Sequence, residues 1–272
     1  MLSGSIEKMV TQLQDPVEYA LPIGDTHLPM NQFLDRPLTL TYRGEIHCVA
    51  CAAKTKKSFS QGYCYRCAQR LAQCDMCIVK PETCHYHLGT CREPEWGEQH
   101  CMIPHYVYLA NSSGLKVGIT RSSQVPTRWI DQGAVQAMPI LKVQTRRQSG
   151  LMEAAIRPYV ADKTNWRTML KGDMVDIDLA QERDSLLGQI GDAIRAVNEQ
   201  FGEGAVSVVD EPAVDIAYPV LAYPTKINSF NLDKDPEASG TLQGIKGQYL
   251  IFDTGVINLR KYTGYHLTVQ PG

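Results

Sequence analysis

The cysteines are the residues whose type and spacing most clearly indicate chemistry. All nine lie between Cys48 and Cys101, and none occurs elsewhere in the 272 residues. Paired C-x-x-C units in a chain that does not open with a secretory signal pattern are typical of metal ligands rather than of disulfides. The odd number of cysteines agrees with this interpretation. We therefore expect this segment to hold metal ions.

The first four cysteines form the strongest metal-binding pattern. Two C-x-x-C units are separated by twelve residues, and four thiolates so arranged suit the tetrahedral geometry of Zn²⁺. The protein fills all four positions, so no water is left to activate and the predicted ion is structural. The predicted ligands are Cys48, Cys51, Cys64 and Cys67.

A second zinc ion is predicted in the following residues. Cys74 and Cys77 form the first pair of ligands, and Cys84 with Cys91 is the simplest completion. Spacing alone leaves alternatives open for this site. The other side chains of the segment that can replace one of these ligands are His85, His87, His100 and Cys101.

Basic residues follow the same part of the chain. Lys54, Lys56 and Lys57 lie between the first two cysteine pairs, where a basic tip can contact phosphate. Residues 101–172 carry ten basic and three acidic side chains, whereas residues 173–240 carry four basic and fourteen acidic ones. The first imbalance is typical of a phosphate-binding surface, with ordinary charge scatter as the alternative. The acidic segment is expected to face away from nucleic acid.

The basic segment also has a regular succession of predicted elements. Two short strands at 106–109 and 115–119 flank a turn and indicate a hairpin. Pro126 can open a short helix, residues 140–145 form a third strand, and Ser149 is placed to cap a second helix. The predicted order is β-β-α-β-α.

Short motifs in this segment carry a resemblance to a known family. Residues 106–108 (Tyr-Val-Tyr) and 116–120 (Lys-Val-Gly-Ile-Thr), followed by Arg128 and Glu153, resemble the GIY-YIG endonuclease superfamily, especially its branches with a K-[IV]-G-[IT]-T second motif. The resemblance covers roughly 103–172. Together with the preceding zinc block, the chain is similar to a bacterial family of unassigned function that combines the two.

The resemblance implies a catalytic site for phosphodiester cleavage. In such a site, Glu153 holds Mg²⁺ or Mn²⁺, Arg128 neutralises charge on the phosphate, and Tyr108 handles the proton of the attacking water. Gly118 matches the glycine of the second motif. The family's usual tyrosine of that motif is replaced by Lys116, which can bind phosphate or, with a lowered pKa, act as a base.

Two further positions complete the predicted nucleic-acid contacts. Arg121 competes with Arg128 for the arginine role, because both follow Gly118 within one loop and short helix. Asn165 matches the polar residue that the family has after the glutamate helix.

The rest of the chain supplies flanking units. Spacing of three and four at Ile6, Met9, Val10 and Leu13 predicts an N-terminal helix, followed by strands. A long helix is predicted to end at Gly202, and the residues after it are rich in strand patterns, at 248–252, 256–259 and 265–269. The predicted fold is α+β, with a C-terminal β-rich sheet or barrel.

These patterns divide the chain into four predicted units. An N-terminal helix and strands (1–46), able to pack on the C-terminal unit, precede a zinc-ribbon block (47–102). A GIY-YIG-like core with its following helices (103–204) and a β-rich domain (205–272) complete the chain. No apolar run approaches the roughly 20 residues that span a bilayer, so we expect a cytoplasmic protein without membrane contact.

The predicted function is metal-dependent cleavage of DNA or RNA by a zinc-containing, nucleic-acid-binding protein without a small-molecule cofactor. One alternative is an adaptor that binds DNA or RNA but has lost cleavage. The other is a scaffold whose zinc ribbons bind a protein.

Overall fold

Fifteen strands in three antiparallel sheets and six helices form the fold in the computed structural model, which describes residues 1–272. The strands are β1 (Leu2–Ser5), β2 (Val10–Gln12), β3 (Glu18–Ile23), β4 (Thr26–Pro29), β5 (Pro37–His47), β6 (Lys54–Thr55), β7 (His105–Asn111), β8 (Leu115–Arg121), β9 (Gln136–Val143), β10 (Val206–Val208), β11 (Val214–Asp215), β12 (Glu237–Lys246), β13 (Tyr249–Phe252), β14 (Val256–Asn258) and β15 (Tyr265–Pro271). The helices are α1 (Tyr65–Arg70), α2 (Pro94–His100), α3 (Thr127–Asp131), α4 (Arg146–Ile156), α5 (Trp166–Lys171) and α6 (Leu179–Phe201).

The largest sheet has seven strands and joins the two ends of the chain. Its order is β1-β15-β5-β12-β13-β14, and β6 pairs with β5. In β5, Leu38 and Leu40 are buried while their neighbours are more exposed, the alternation expected of a half-buried strand. The strand β5 leads directly into Cys48, so this sheet anchors the first cysteine pair.

A five-stranded sheet carries the predicted hairpin. Its order is β10-β9-β7-β8, and β11 also pairs with β9. The strands β10 and β11, which the sequence places with the C-terminal unit, therefore belong to this sheet. Helices α4 and α6 bury apolar side chains against it, and 15 residues form this core. The order β7-β8-α3-β9-α4 reproduces the predicted β-β-α-β-α succession.

The start of α4 differs from the prediction. Thr145, not Ser149, is the N-cap, because its side chain accepts from the backbone N–H of Gln148 while the Gln148 side chain accepts from the backbone of Thr145. This T-x-x-Q capping box satisfies two helix-end donors at once. Helix α4 thus begins at Arg146, which brings that side chain toward the cysteine-rich block.

The predicted N-terminal helix is wrong. Residues 2–12 form β1 and β2 instead. Ile6 and Met9 are fully buried, but Val10 and Leu13 are exposed, so the four apolar residues do not share one face. Ile6 bridges to Ile23, and the backbone N–H of Met9 donates to Oε1 of Gln248, in the turn between β12 and β13. Ile6 and Met9 are thus buried through different contacts, and their helix-like spacing in the sequence does not reflect a shared helical face.

The predicted long helix and the three C-terminal strands are present. Helix α6 ends before Gly202, whose φ of 102° suits a residue without a side chain. Strands β13, β14 and β15 follow the predicted positions closely. No helix combines the length and the apolar character needed to cross a membrane.

Candidate active site and metal centre

The first four cysteines come together as predicted. The sulfur atoms of Cys48, Cys51, Cys64 and Cys67 all lie within 4.8 Å of one another. Burial alone raises the pKa of Cys48, but backbone N–H groups of Cys64, Ala50 and Cys51 point at its sulfur and lower the pKa to about 6. Four thiols and inward-pointing N–H groups fit a soft divalent ion. This cluster can hold a structural zinc ion.

The remaining cysteines separate into two places. Cys77, Cys84, Cys91 and Cys101 line one small, apolar pocket beside Trp96. Cys74 instead lines a large cavity on another side of the block. The set around the pocket therefore differs from the predicted second ligand set by one residue, with Cys101 in place of Cys74. None of the nine cysteines forms a disulfide.

The histidines offered as alternative ligands have other contacts. Among them, only His85 lies near a cysteine thiol and a carboxylate, since Asp75, Cys77 and His85 place ligand atoms within 4.8 Å of one another. His87 Nε2 lies 3.2 Å from Arg147. His100 stacks on Trp96 at 4.2 Å between ring centroids.

A cavity of about 750 Å³ lies where the cysteine-rich block, the five-stranded sheet and the seven-stranded sheet meet. Lys116, Arg128 and Glu153, which lie far apart in the sequence, all line it, and so does Arg121. The lining contains six basic side chains, Lys8, Lys116, Arg121, Arg128, Arg146 and Arg260, and four acidic ones, Asp75, Asp131, Glu153 and Asp162. Its volume is that of a ligand-binding site.

Lys116 and Tyr108 share one hydrogen-bond acceptor. Gln132 Oε1 accepts from Lys116 Nζ at 2.6 Å and from the Tyr108 hydroxyl at 2.9 Å. Burial, followed by the charge of Arg128, lowers the pKa of Lys116 to about 8. Tyr108 is fully buried, and burial raises the pKa of its hydroxyl. Tyr108 thus supports the wall of the cavity, whereas Lys116 faces it.

Several arginines at the cavity have no acidic partner. The arginine ion pairs of the molecule are made by Arg92, Arg157, Arg183 and Arg195. The cavity arginines are not among them. Burial lowers the pKa of Arg121, Arg146 and Arg260, because a desolvated cation without a counter-charge is unfavourable. An anion entering the cavity would supply that counter-charge.

Glu153 lies at the acidic end of the cavity. Its Oε2 is 3.3 Å from Arg157 Nη2, one helical turn along α4. Arg157 also contacts Asp162 at 3.3 Å and Glu82 at 3.5 Å. Burial raises the pKa of Glu153, although Arg157 opposes that effect. Two of these carboxylates, Glu153 and Asp162, face the cavity, and oxygen ligands are those that Mg²⁺ and Mn²⁺ prefer.

The other predicted nucleic-acid contacts lie outside the cavity lining. Lys54, Lys56 and Lys57 are exposed, and Lys54 Nζ is bound to Glu45 at 2.5 Å. Asn165 caps helix α5 by accepting from two backbone N–H groups. The Asn165 side chain therefore stabilises the start of helix α5.

The sequence did not predict several polar residues of the cavity, among them Gln132, Arg146, Asp162 and Arg260. The adjacent pair Arg146-Arg147, the first two residues of helix α4, is a local basic pattern that could have indicated the contribution of Arg146. Nothing in the sequence connects Arg260, in the C-terminal strands, with a motif more than a hundred residues earlier.

The model of a family described as a protein of unknown function (DUF2797) matches residues 35–267. The chain belongs to the DUF2797 family. The part that matches the DUF2797 model contains both cysteine groups and every residue of the cavity lining except Lys8. No curated protein and no solved structure matches the chain.

Proposed function

We propose that this DUF2797 protein binds DNA or RNA and cleaves a phosphodiester bond with a divalent metal ion, using a GIY-YIG-like core. The observation that carries the proposal is the meeting of Lys116, Arg128 and Glu153 in one cavity that also holds unpaired arginines. These three residues were selected from motif order alone.

The local fold supports the same assignment. The strands with the two motifs are adjacent and antiparallel, and Tyr108 pairs directly with Gly118. The helix that carries Arg128 follows the second motif, and the helix that carries Glu153 follows the third strand. This is the succession on which the resemblance rests.

The residues of the cavity have complementary tasks in such a reaction. The Arg128 guanidinium binds a non-bridging phosphate oxygen and neutralises charge that develops there. Glu153 and Asp162 would hold a divalent ion such as Mg²⁺ or Mn²⁺, which would supply Lewis-acid stabilisation of the phosphate when bound. Lys116, with its pKa near 8, accepts the proton of the attacking water in its neutral form. Because Tyr108 is buried behind Gln132, it positions Lys116 and is not itself the proton acceptor.

A nicking assay tests cleavage. Labelled single- and double-stranded DNA and RNA are incubated with the purified full chain and Mg²⁺. We expect Glu153→Gln to lower the rate at least about 100-fold, as loss of the metal-holding carboxylate requires, while binding stays within about twofold. Glu95→Gln, at an exposed glutamate of helix α2, is the matched control and should cleave normally. Equal rates for wild type and Glu153→Gln would overturn the catalytic assignment.

A second candidate function is binding without cleavage. The specific observation in its favour is that Glu153 is already paired with Arg157, and Lys116 with Gln132, so the two groups assigned to metal binding and proton transfer already have partners in the protein. Salt-sensitive binding of oligonucleotides without nicking in any tested metal would establish this function. If no oligonucleotide binds at low salt, both nucleic-acid functions are excluded, and a scaffold that binds another protein is the function that is left.

We also propose a second structural zinc ion, held by Cys77, Cys84, Cys91 and Cys101. These four thiols surround one pocket, and the block around them has few other apolar contacts with which to form a core. Metal analysis of the purified chain should find two zinc ions.

A further inference from the structure

Arg260 brings a cation of the seven-stranded sheet to the cavity. It lies in the 3-10 turn Leu259–Tyr262, between β14 and β15. Its Nε donates to Gln61 Oε1 at 2.8 Å, which fixes the side chain. Burial lowers the pKa of Arg260, and the charge of Arg128 lowers it further, so the two guanidinium groups act on each other across the same cavity.

The carboxylate that partly offsets the charge of Arg260 is already engaged. Asp131 raises the pKa of Arg260, but its Oδ2 accepts from Lys8 Nζ at 2.7 Å and its Oδ1 from Gln248 Nε2 at 2.8 Å. Its side chain is only 4 % exposed. Arg260 therefore has no free acidic partner in the protein, and neither has Arg128.

The loop that holds Arg260 is itself in an unfavourable backbone conformation. Ser60 and Gln61 have φ angles of 45° and 64°, which side-chain-bearing residues rarely adopt. The loop is kept in place because Gly62 N–H donates to Ser58 Oγ at 2.7 Å and Val49 N–H donates to Gly62 O at 2.9 Å. Such strain persists where the surroundings enforce it, and it is concentrated at ligand-binding positions. Here it directs Gln61 toward Arg260.

We propose that Arg128 and Arg260 bind two successive phosphates of one nucleic-acid strand, so that the cavity is a clamp with one guanidinium from helix α3 and the other from the turn between β14 and β15. The inference rests on the proposed function, since it assigns the substrate a second contacted phosphate at the same site. Two guanidinium groups without acidic partners require more than one negative charge for compensation. Guanidinium groups match the geometry of phosphate oxygens through paired hydrogen bonds. A ligand with a single phosphate would leave one of them unpaired.

The test is the salt dependence of binding of a fluorescent single-stranded oligonucleotide, measured without added Mg²⁺ or Mn²⁺ so that cleavage does not contribute. We expect Arg260→Gln to weaken binding about tenfold for every sequence tested, as the loss of one charge-assisted phosphate contact does. The slope of log affinity against log salt should fall by about 0.7, the value for one phosphate on a single strand. Arg128→Gln should have a similar effect.

Two further variants separate the loss of a contact from the loss of the fold. Arg260→Lys keeps the charge and should retain the wild-type slope while binding more weakly, because the amine lacks the planar fork. Lys226→Gln removes an exposed lysine outside the cavity and should bind as wild type does. Thermal unfolding and zinc content of each variant confirm that the chain is folded.

The outcomes distinguish this clamp from the proposed function. If Arg260→Gln leaves affinity and slope unchanged while Arg128→Gln lowers both, the second phosphate contact is overturned and the nuclease proposal is untouched. If Arg260→Gln has the expected effect but the wild type does not nick nucleic acid in Mg²⁺, the clamp is supported and the proposed cleavage activity is overturned. If the wild-type protein does not bind the oligonucleotide at low salt, the clamp is overturned.

Discussion

Gly118 faces Tyr108 so closely that a methyl group on its Cα would lie 2.5 Å from the phenolic oxygen. The two residues are direct partners in the β7–β8 hairpin. Glycine in the second motif is thus a packing requirement, since any larger side chain meets a buried ring. The same ring holds Gln132, and through it Lys116, at the cavity.

Gly118→Ala should therefore destabilise the protein. We expect a loss of about 1–3 kcal/mol in the free energy of unfolding, typical of overpacking a filled core. Gly188→Ala is the matched control, because nothing lies within 4 Å of the added methyl and alanine favours helix α6 by about 0.5–1 kcal/mol. Urea unfolding of both variants checks the difference. Equal stability of Gly118→Ala and wild type would contradict the packing described above.

The two cysteine groups make a prediction about metal content. Cys51→Ser and Cys101→Ser should each lower the zinc content from two ions to one per chain, because each removes a ligand from a different group. Cys74→Ser should retain both ions, since Cys74 lines the large cavity. Elemental analysis after gel filtration measures this directly. If Cys74→Ser loses a zinc ion and Cys101→Ser does not, the second ligand set is the one predicted from spacing, which contains Cys74 in place of Cys101.

If the protein binds nucleic acid as proposed, Lys116 should make that binding dependent on pH. Burial lowers its pKa to about 8, so the amine is charged below pH 8 and neutral above it. Because only the charged form attracts phosphate, affinity for an oligonucleotide should fall up to about tenfold from pH 7 to pH 9 at constant ionic strength. Lys116→Gln should show a flatter profile, measured by fluorescence anisotropy. A wild-type profile as flat as that of Lys116→Gln would exclude this role for the amine.

If Glu153 holds a divalent cation as proposed, Arg157 should compete with that cation for the carboxylate. Its guanidinium contacts Glu153 and Asp162, both of which face the cavity. We expect Arg157→Gln to tighten Mn²⁺ binding about two- to fivefold, the worth of a partly exposed ion pair, as measured by electron paramagnetic resonance without nucleic acid. Arg195→Gln, which removes an ion pair with Asp192 on the exposed side of α6, is the control. Weaker Mn²⁺ binding in Arg157→Gln would show that the arginine supports the site.

Local sequence patterns correctly predicted the β7–β8 hairpin, the helices α3 and α6, and the first cysteine cluster, because each of these depends on residues close together in the sequence. They failed at the N-terminus, where Ile6 and Met9 are buried by strands from distant parts of the chain. They also missed β12, whose Glu-Ala-Ser-Gly-Thr stretch has no alternating apolar pattern. That strand is formed by pairing with β5 and β13 rather than by its own propensity.

The candidate site shows the same limit. Motif order selected Lys116, Arg128 and Glu153, since these residues belong to one sheet and its helices. Arg260 and Gln61 join them only through the contact between separate units, which no local pattern encodes. Motif order likewise did not show that Tyr108 is buried in the main core, with its ring against Gly118.

The pairing of the central strand β5 has a consequence for the order in which the protein can fold during synthesis on the ribosome. It ends immediately before Cys48, the first cysteine of the four-cysteine cluster, yet it pairs with β15, which begins only at Tyr265. Proteins emerge from the ribosome with their N-terminal parts first. The nascent chain can therefore bind zinc early, while Arg260 is still to be translated. The proposed clamp would be complete only once Arg260 has been synthesised, so a nascent chain that lacks this residue would hold only one of the two proposed phosphate contacts.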